Sequence, residues 1–202
     1  MKRLFLFLAA FGLLLTAACK QSTPVVDQSA QNGKMTISLD YQAQDGYASN
    51  QFAVWVENSD GAMVKTLYAT RFTAKGGYEK RPDAIPLWVA RSGVAEIKDV
   101  DAITSATPKS GKLEYSWDLT DAAGTRVPDG TYRYFVEGTL RWKNSVLFSG
   151  EITLGQSAAT AQATAEYSYA ASDDAPALTA DSPENGMLAN VSATFMPPTQ
   201  LP

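Results

Sequence analysis

The sequence predicts a mainly β protein that folds as an antiparallel β-sandwich of one domain. Short segments in which apolar and polar residues alternate recur along the chain, as they do in strands with one buried face. Glycine and proline punctuate the gaps between these segments, as they do in the turns of all-β folds. Residues 34–202 are enough for one domain with its own core.

The predicted strands follow one another from residue 34. In Lys34–Tyr41 apolar and polar residues alternate strictly, which indicates a half-buried first strand. A turn at 58–61 joins the second and third strands, and a loop rich in turn residues covers 118–130. The remaining patterns predict strands at 52–57, 63–69, 112–117, 130–137, 139–142, 145–154, 162–169 and 188–195.

Two further segments, 81–93 and 157–185, have features other than strand alternation. Residues 81–93 place Ile85, Trp88 and Val89 on one face and end at a glycine, so one short helix is possible there. The stretch 157–185 is rich in alanine, threonine and aspartate and looks low in complexity. Because a strand pattern closes the chain after it, we expect this stretch to fold back on the domain.

Residues 1–18 have the pattern of a secretory signal peptide. Lys2 and Arg3 precede an apolar run that is too short to cross a membrane as a helix. Cys19 ends the run after small residues, as in lipoproteins that are cleaved before a lipid-modified cysteine. The alternative is ordinary cleavage after Ala18, which leaves a free thiol.

Residues 19–33 are polar and predict a flexible, lipid-anchored tether. In a Gram-negative host, Lys20 directly after the anchor favours sorting to the outer membrane. We therefore expect a periplasmic or extracytosolic protein that contacts the membrane through its lipid anchor.

Composition narrows the chemistry that the chain can perform. It has no histidine and one cysteine, so the usual ligands of zinc, haem and iron–sulfur centres are missing, and no metal site is expected. Nucleophile–histidine catalysis is excluded, and no catalytic residue is predicted, although a carboxylate-pair hydrolase stays open as a weak alternative. Loss of Lys2 and Arg3 with the signal peptide takes the net charge from −4 to −6, which argues against nucleic acid as a partner.

Residues 101–111 read DAITSATPKSG. The first seven form a motif: an aspartate, two variable residues, a hydroxyl residue, a small residue, alanine and threonine. This motif resembles the acceptor site for covalent flavin, a signature also carried by subunits of the sodium-pumping NADH:quinone reductase. The resemblance implies that FAD:protein FMN transferase attaches FMN to Thr107 as a phosphoester. Ser105 stands where the pattern usually has glycine. The other residues that the resemblance assigns to this site are Asp101, Thr104, Ser105 and Ala106.

The residue types of this motif suit such a modification. Thr107 supplies the hydroxyl that becomes the ester oxygen, and small neighbours leave room for FAD. Lys109 and Lys112 are placed to neutralise the tethered phosphate. The alternative is a polar surface loop without a cofactor, because aspartate, threonine, serine, proline, lysine and glycine are the usual residues of loops.

The region after the motif carries a second resemblance. It is similar to the Ig-like hairpin of flagellar hook-capping proteins and implies an Ig-like β-sandwich. The residues that carry it are Trp117, Asp118, Asp121, Gly124, Val127, Pro128, Gly130 and Tyr132.

The order of short motifs across roughly residues 34–200 carries a wider resemblance. These motifs lie at 52–57, 64–68, 70–72, 88–89, 105–111, 117–118 and 136–143. Together they resemble the predicted periplasmic proteins of the domain-of-unknown-function 2271 family, whose members are associated with extracytosolic flavin-based electron transfer. The resemblance implies a carrier that passes electrons between membrane electron-transfer proteins and periplasmic or extracellular partners, rather than an enzyme with its own substrate. The alternative is a structural or binding Ig-like lipoprotein without a cofactor.

Three other residue groups are weaker candidates for a flavin, calcium or phosphate site. Four tryptophans favour core and edge packing over a face for an isoalloxazine ring, and Trp142, between Arg141 and Lys143, is the best candidate for a surface aromatic near the flavin. The spacing of the aspartates after Trp117 favours turns over a calcium site. Residues 71–77 favour a glycine-rich hairpin end over a phosphate-binding nest. The aspartates are Asp118, Asp121 and Asp129, and the nest residues are Arg71, Gly76 and Gly77.

Overall fold

The computed structural model describes residues 33–47, 49–97, 99–105 and 108–199. Two antiparallel sheets pack face to face, with strand orders β4-β1-β9-β7 and β3-β2-β5-β6-β8, so the predicted β-sandwich is confirmed. The predictions for the signal peptide, Cys19 and residues 20–32 lie outside the described residues. The strands are β1 (Lys34–Tyr41), β2 (Gln51–Glu57), β3 (Met63–Ala69), β4 (Gly111–Trp117), β5 (Gly130–Arg141), β6 (Asn144–Leu154), β7 (Ala159–Gln162), β8 (Thr164–Ser168) and β9 (Leu188–Met196).

The main core lies between the two sheets. Every second residue of β1 points into it, because side chains alternate between the two faces of a strand. Trp117 closes the core at the end of β4, where its indole Nε1 donates to the carbonyl oxygen of Thr120 at 2.7 Å. The Tyr132 hydroxyl donates to the carbonyl oxygen of Pro128 at 2.8 Å, an upstream backbone bond of the kind seen in the tyrosine corner of immunoglobulin-like sandwiches.

Strand register defines two ends of the sandwich. In the antiparallel pair of β1 and β4, Tyr41 lies opposite Gly111 and Met35 lies opposite Trp117. We call the end with Tyr41 and Gly111 the upper end. The chain passes from the end of β1 to the start of β2, so β2 also begins at the upper end. Near that start, Ala53 pairs with Ala69 and Gln51 pairs with Thr139, which places the exit of β3 and the turn between β5 and β6 at the upper end too.

A helical layer covers the outer face of the five-stranded sheet. Trp55 of β2 stacks on Phe135 of β5 at 5.0 Å between ring centroids, and Ile85 and Trp88 of the layer are fully buried against this face. Burial on both faces explains why β2 is an almost unbroken apolar run. The layer comprises Thr73–Gly77, α1 (Tyr78–Lys80), α2 (Pro86–Ser92) and the 3₁₀ turns Val94–Glu96 and Val100–Ile103; a further 3₁₀ turn, Pro183–Met187, precedes β9.

The short helix predicted within 81–93 is confirmed as α2. Proline at its first position suits the start of a helix, because that residue's N–H has no intrahelical partner. Gly93 ends α2 with φ of 59°, a left-handed conformation in which glycine carries no Cβ penalty.

Three predicted features are wrong in detail. The segments 130–137 and 139–142 form one strand, β5, because Gly138 continues the pairing with both neighbours. The strand predicted at 162–169 is confirmed as β8, but its start is wrong, because Gln162 ends β7 in the other sheet and the chain changes sheet at Ala163. The predicted hairpin end at Gly76–Gly77 is a pair of helical turns that meet at a kink, with Gly76 at φ of 87°.

Among the described residues, no helix is long and apolar enough to cross a membrane. The low-complexity stretch packs on the domain, as expected, since Leu178 is buried in the main core and Ala161 and Tyr169 pack against it.

Candidate functional site

The predicted flavin motif starts in a 3₁₀ turn, and Thr104 and Ser105 follow it without regular structure. Asp99 caps the turn Val100–Ile103, because its carboxylate accepts a hydrogen bond from the backbone N–H of Ala102 at 3.3 Å. Asp101 and Ser105 are exposed, while Thr104 is half-buried. The predicted acceptor Thr107 and its neighbour Ala106 lie outside the described residues.

Two contacts attach this segment to the upper end of the domain. Lys75 Nζ lies 2.6 Å from the Asp101 carboxylate, and this hydrogen bond and charge hold the pKa of the Asp101 carboxyl below its usual range. On the far side of the motif, the hydroxyl of Ser110 accepts a hydrogen bond from the backbone N–H of Ala43 at 2.9 Å. The loop is therefore held on both sides while Asp101 and Ser105 face solvent.

A groove of about 1240 Å³ starts at the motif. The edge strand β3 forms one wall, and the helical layer from Arg91 to Ile103 forms the other. Lys34, Ser116 and Asp118 line its lower part. The apolar side chains that line the groove belong to Met63, Val64, Leu67, Ile97, Ala102, Ile103 and Ala122.

A buried carboxylate holds the C-terminal end of α2 on the sheet. Glu57, at the end of β2, is 1% exposed. Its Oε1 accepts hydrogen bonds from the Trp55 indole at 2.7 Å and from the Arg91 guanidinium at 2.6 Å. Arg91 also lines the groove, so this contact fixes one groove wall relative to the sheet.

A second buried carboxylate holds the N-terminal end of α2. Glu137 of β5 is 4% exposed, and its two oxygens accept the backbone N–H groups of Leu87 at 3.0 Å and Trp88 at 2.7 Å. Burial raises the pKa of Glu137 to about 7, against the lowering effect of these hydrogen bonds and of Arg91. Together, Glu57 and Glu137 fix α2 at both of its ends.

Three of the four tryptophans pack in the core, as the sequence favoured. Trp55, Trp88 and Trp117 are fully buried packing residues. Trp142 is half-buried at the upper end, where its ring lies 5.5 Å from the exposed ring of Tyr47. The Arg81 guanidinium lies over both rings and over Phe72, at 5.8–5.9 Å from the centroids. We call Tyr47, Phe72, Arg81 and Trp142 the aromatic patch.

The aspartates after Trp117 stabilise turns, as the sequence favoured. Asp118 pairs with Lys65 at 2.9 Å, and Asp121 accepts the backbone N–H groups of Ala123 and Thr125. Asp129 lies 3.5 Å from Arg126. Within the described ranges, no three side chains of the metal-ligating types come together.

The comparison with protein families decides the affiliation of the chain. The family model described as predicted periplasmic protein (DUF2271) matches residues 32–170. The chain belongs to the DUF2271 family. The match includes the helical layer, the groove and the motif, and the description of DUF2271 supports a periplasmic location.

Beyond DUF2271, no curated protein and no solved structure gives a significant match. The similarity of residues 117–132 to hook-capping proteins, like the flavin-acceptor motif, therefore stays a prediction.

Sequence reasoning missed four residues that shape this site. Lys75, Arg91 and the two buried glutamates carry no local motif, because their partners lie far away in sequence. One signal was present. Glu57 ends a strongly apolar strand segment and Glu137 interrupts one, and a carboxylate buried at such a position requires a partner.

Proposed function

We propose that this DUF2271 protein is a lipid-anchored, extracytosolic flavoprotein that carries FMN esterified to Thr107 and transfers electrons between membrane and periplasmic or extracellular partners. The observation that supports it most is the setting of the motif. Its described residues Asp101 and Ser105 are exposed, and the segment is attached on both sides to a rigid β-domain. A modifying enzyme needs this combination of access and a defined loop.

The attachment step balances with FAD as the donor. The hydroxyl oxygen of Thr107 forms a bond to the phosphorus of the FMN moiety, the pyrophosphate bond of FAD breaks, AMP leaves, and the hydroxyl proton passes to solvent. FAD:protein FMN transferase is the partner for this step. The attached flavin supplies the ability to accept and release electrons, and this chain supplies its position and its exposure to solvent.

The residues around the motif fit such a group. Lys109 and Lys112, which are both exposed, follow the acceptor in sequence and are placed to offset the phosphate charge. Ala102 and Ile103 of the motif line the groove, so an apolar surface for a ring system begins four positions before Thr107.

The direct test is coexpression with the transferase. We expect the protein band on a denaturing gel to fluoresce and the intact mass to rise by FMN minus one water. Thr107→Ala should abolish both signals, whereas Thr125→Ala, which changes an exposed threonine in a distant turn, should leave them unchanged. A colourless wild-type protein of unmodified mass would overturn the proposal in favour of a cofactor-free binding lipoprotein.

Asp101 and Lys75 are expected to respond differently in the same assay. The ion pair is exposed to solvent, and such pairs contribute little to order. Without this pair the segment stays on the domain, because Val100 and Ile103 pack against the apolar cluster beneath the helical layer and Ser110 keeps its hydrogen bond to Ala43. We therefore expect Asp101 to be recognised by the transferase itself, so that Asp101→Asn prevents flavin attachment and Lys75→Met does not. Equal loss in both variants, measured by gel fluorescence per protein, would show instead that Asp101 acts by fixing the loop.

A further inference from the structure

We propose that the groove beside the motif is the binding site for the planar isoalloxazine ring of the flavin. This inference rests on the proposed function, because the FMN on Thr107 is the flavin concerned. It adds where the ring lies, which residues surround it and what exposure to solvent the cofactor has.

Continuity of the chain supports this site first. Ala102 and Ile103, the two variable positions of the motif, form part of the groove wall. A chain of four residues spans at most about 14 Å, so a flavin borne on Thr107 starts within that distance of the wall. The variable positions are not part of what the transferase recognises, so the side chains there are free to suit the surroundings of the ring.

The size and lining of the groove suit the ring. Its volume of about 1240 Å³ exceeds what one ring system needs, since pockets for small ligands range over roughly 300–1,000 Å³. Met63, Val64 and Leu67 present thioether and aliphatic groups from β3, opposite Ile97. Flat apolar walls of this kind bury the faces of a heteroaromatic ring.

Charge at the groove favours a ring over a phosphate. Lys65 Nζ is paired with Asp118 at 2.9 Å, and the Arg91 guanidinium is paired with Glu57 at 2.6 Å. Asp99 adds a further carboxylate to the lining. Lys34 also lines the groove, so the described cations there, Lys34, Lys65 and Arg91, are matched in number by the carboxylates of Asp99, Asp118 and Glu57. The groove therefore offers no excess positive charge for an anion, and the exposed lysines after the motif are better placed for the phosphate.

The aromatic patch is the rival location, and its geometry is less suitable. The Arg81 guanidinium already lies over the rings of Tyr47, Phe72 and Trp142. The rings of Tyr47 and Trp142 also contact each other edge to face at 5.5 Å. A flavin ring would have to displace these contacts, whereas the groove is already open.

The two locations predict different fluorescence. The lining of the groove contains no aromatic side chain among the described residues, so a flavin there stays fluorescent, whereas stacking on Trp142 or Tyr47 quenches it. Denaturing gels and intact mass first establish that FMN is attached, which tests the proposed function separately. Emission per flavin is then measured on the native, loaded protein.

We expect iodide to quench the flavin several-fold less in the native protein than in the unfolded one. Ala102→Trp introduces an indole at the groove wall and should lower native emission per flavin several-fold. Ala158→Trp, at an exposed position just before β7 on the opposite edge of the sandwich, should not. Trp142→Ala should leave emission unchanged.

Two results would overturn the inference. One is an increase in native emission on Trp142→Ala, which would place the ring on the aromatic patch. The other is equal iodide quenching in native and unfolded protein, which would leave the ring in solvent. Both are read on protein with an unchanged groove wall, so they remain decisive even if Ala102→Trp is not loaded.

Discussion

Replacing Arg91 by alanine is expected to destabilise the domain by about 3 kcal/mol, because the change leaves the carboxylate of Glu57 buried without its cation. Glu57 is 1% exposed, and the Trp55 indole is its other hydrogen-bond donor. The expected loss lies at the lower end for a broken buried pair, since the Arg91 side chain is 38% exposed and water can reach its place. Urea denaturation measures the change in the free energy of unfolding.

Arg133 offers a matched control for this variant. Both guanidinium groups lie over the Phe135 ring, at 5.4 Å for Arg91 and 5.0 Å for Arg133. The carboxylate partner of Arg133 is the exposed Glu151, at 3.9 Å, so Arg133→Ala should cost less than about 1 kcal/mol. The double variant Glu57→Gln, Arg91→Ala should recover part of the lost stability. Equal losses for Arg91→Ala and Arg133→Ala would show that ring contact, rather than the buried carboxylate, is what matters.

Glu137 is expected to make the domain less stable as the pH rises from about 4.5 to about 7. Burial raises the pKa of this carboxyl from 4.5 to about 7, so folding disfavours its charged form. Below pH 4.5 the carboxyl is protonated in both the folded and the unfolded state, so its burial adds no cost of charging. Between pH 4.5 and about 7 it ionises in the unfolded chain but stays protonated in the folded one, so the free energy of unfolding falls. The shift corresponds to about 3 kcal/mol in total.

Glu137→Gln isolates this effect. The amide does not ionise in this range, so the free energy of unfolding of the variant should not fall as that of the wild type does. Denaturation curves at several pH values between 4.5 and 8 measure this difference. At the acidic end, where Glu137 is a neutral acid, the variant should be less stable by about 1–3 kcal/mol. The hydroxyl oxygen of the acid can still accept one of the N–H groups of Leu87 and Trp88, whereas the amide nitrogen cannot. Parallel pH profiles would contradict the assignment.

Strands were predictable wherever one face is buried and the other solvated. The alternation of β1 gives its bounds directly, and the apolar run of β2 identifies a strand without showing that a helical layer covers its outer face. The error at 162–169 has a physical cause. The residue pattern continues across Ala163, and its backbone N–H pairs with the carbonyl oxygen of Val191 while the chain passes from one sheet to the other.

The candidate site was predictable in part. Asp101 and Ser105 are exposed, as polar residues of loop composition usually are, and this exposure fits both the flavin site and the alternative of a plain surface loop. The groove was not predictable, since its walls come from strand β3 and from a segment roughly thirty residues further along, brought together by tertiary packing. The same holds for the pairing of Lys75 with Asp101, which depends on the kink at Gly76.

The register of β1 with β4 separates the entry of the proposed tether from the proposed attachment site of the cofactor. The proposed tether enters the domain at Lys34, and the motif loop leaves at Gly111, opposite Tyr41 at the other end of the strand. Eight residues of strand place these points about 25 Å apart. On the proposed anchor, the attachment loop would therefore face outward, while the groove runs from this loop back toward Lys34 along the side of the domain. A ring in the groove would be open sideways to a diffusing partner, and a donor embedded in the membrane would reach it when the domain leans over. Lengthening the stretch 20–32 would speed that second exchange and leave the first unaffected.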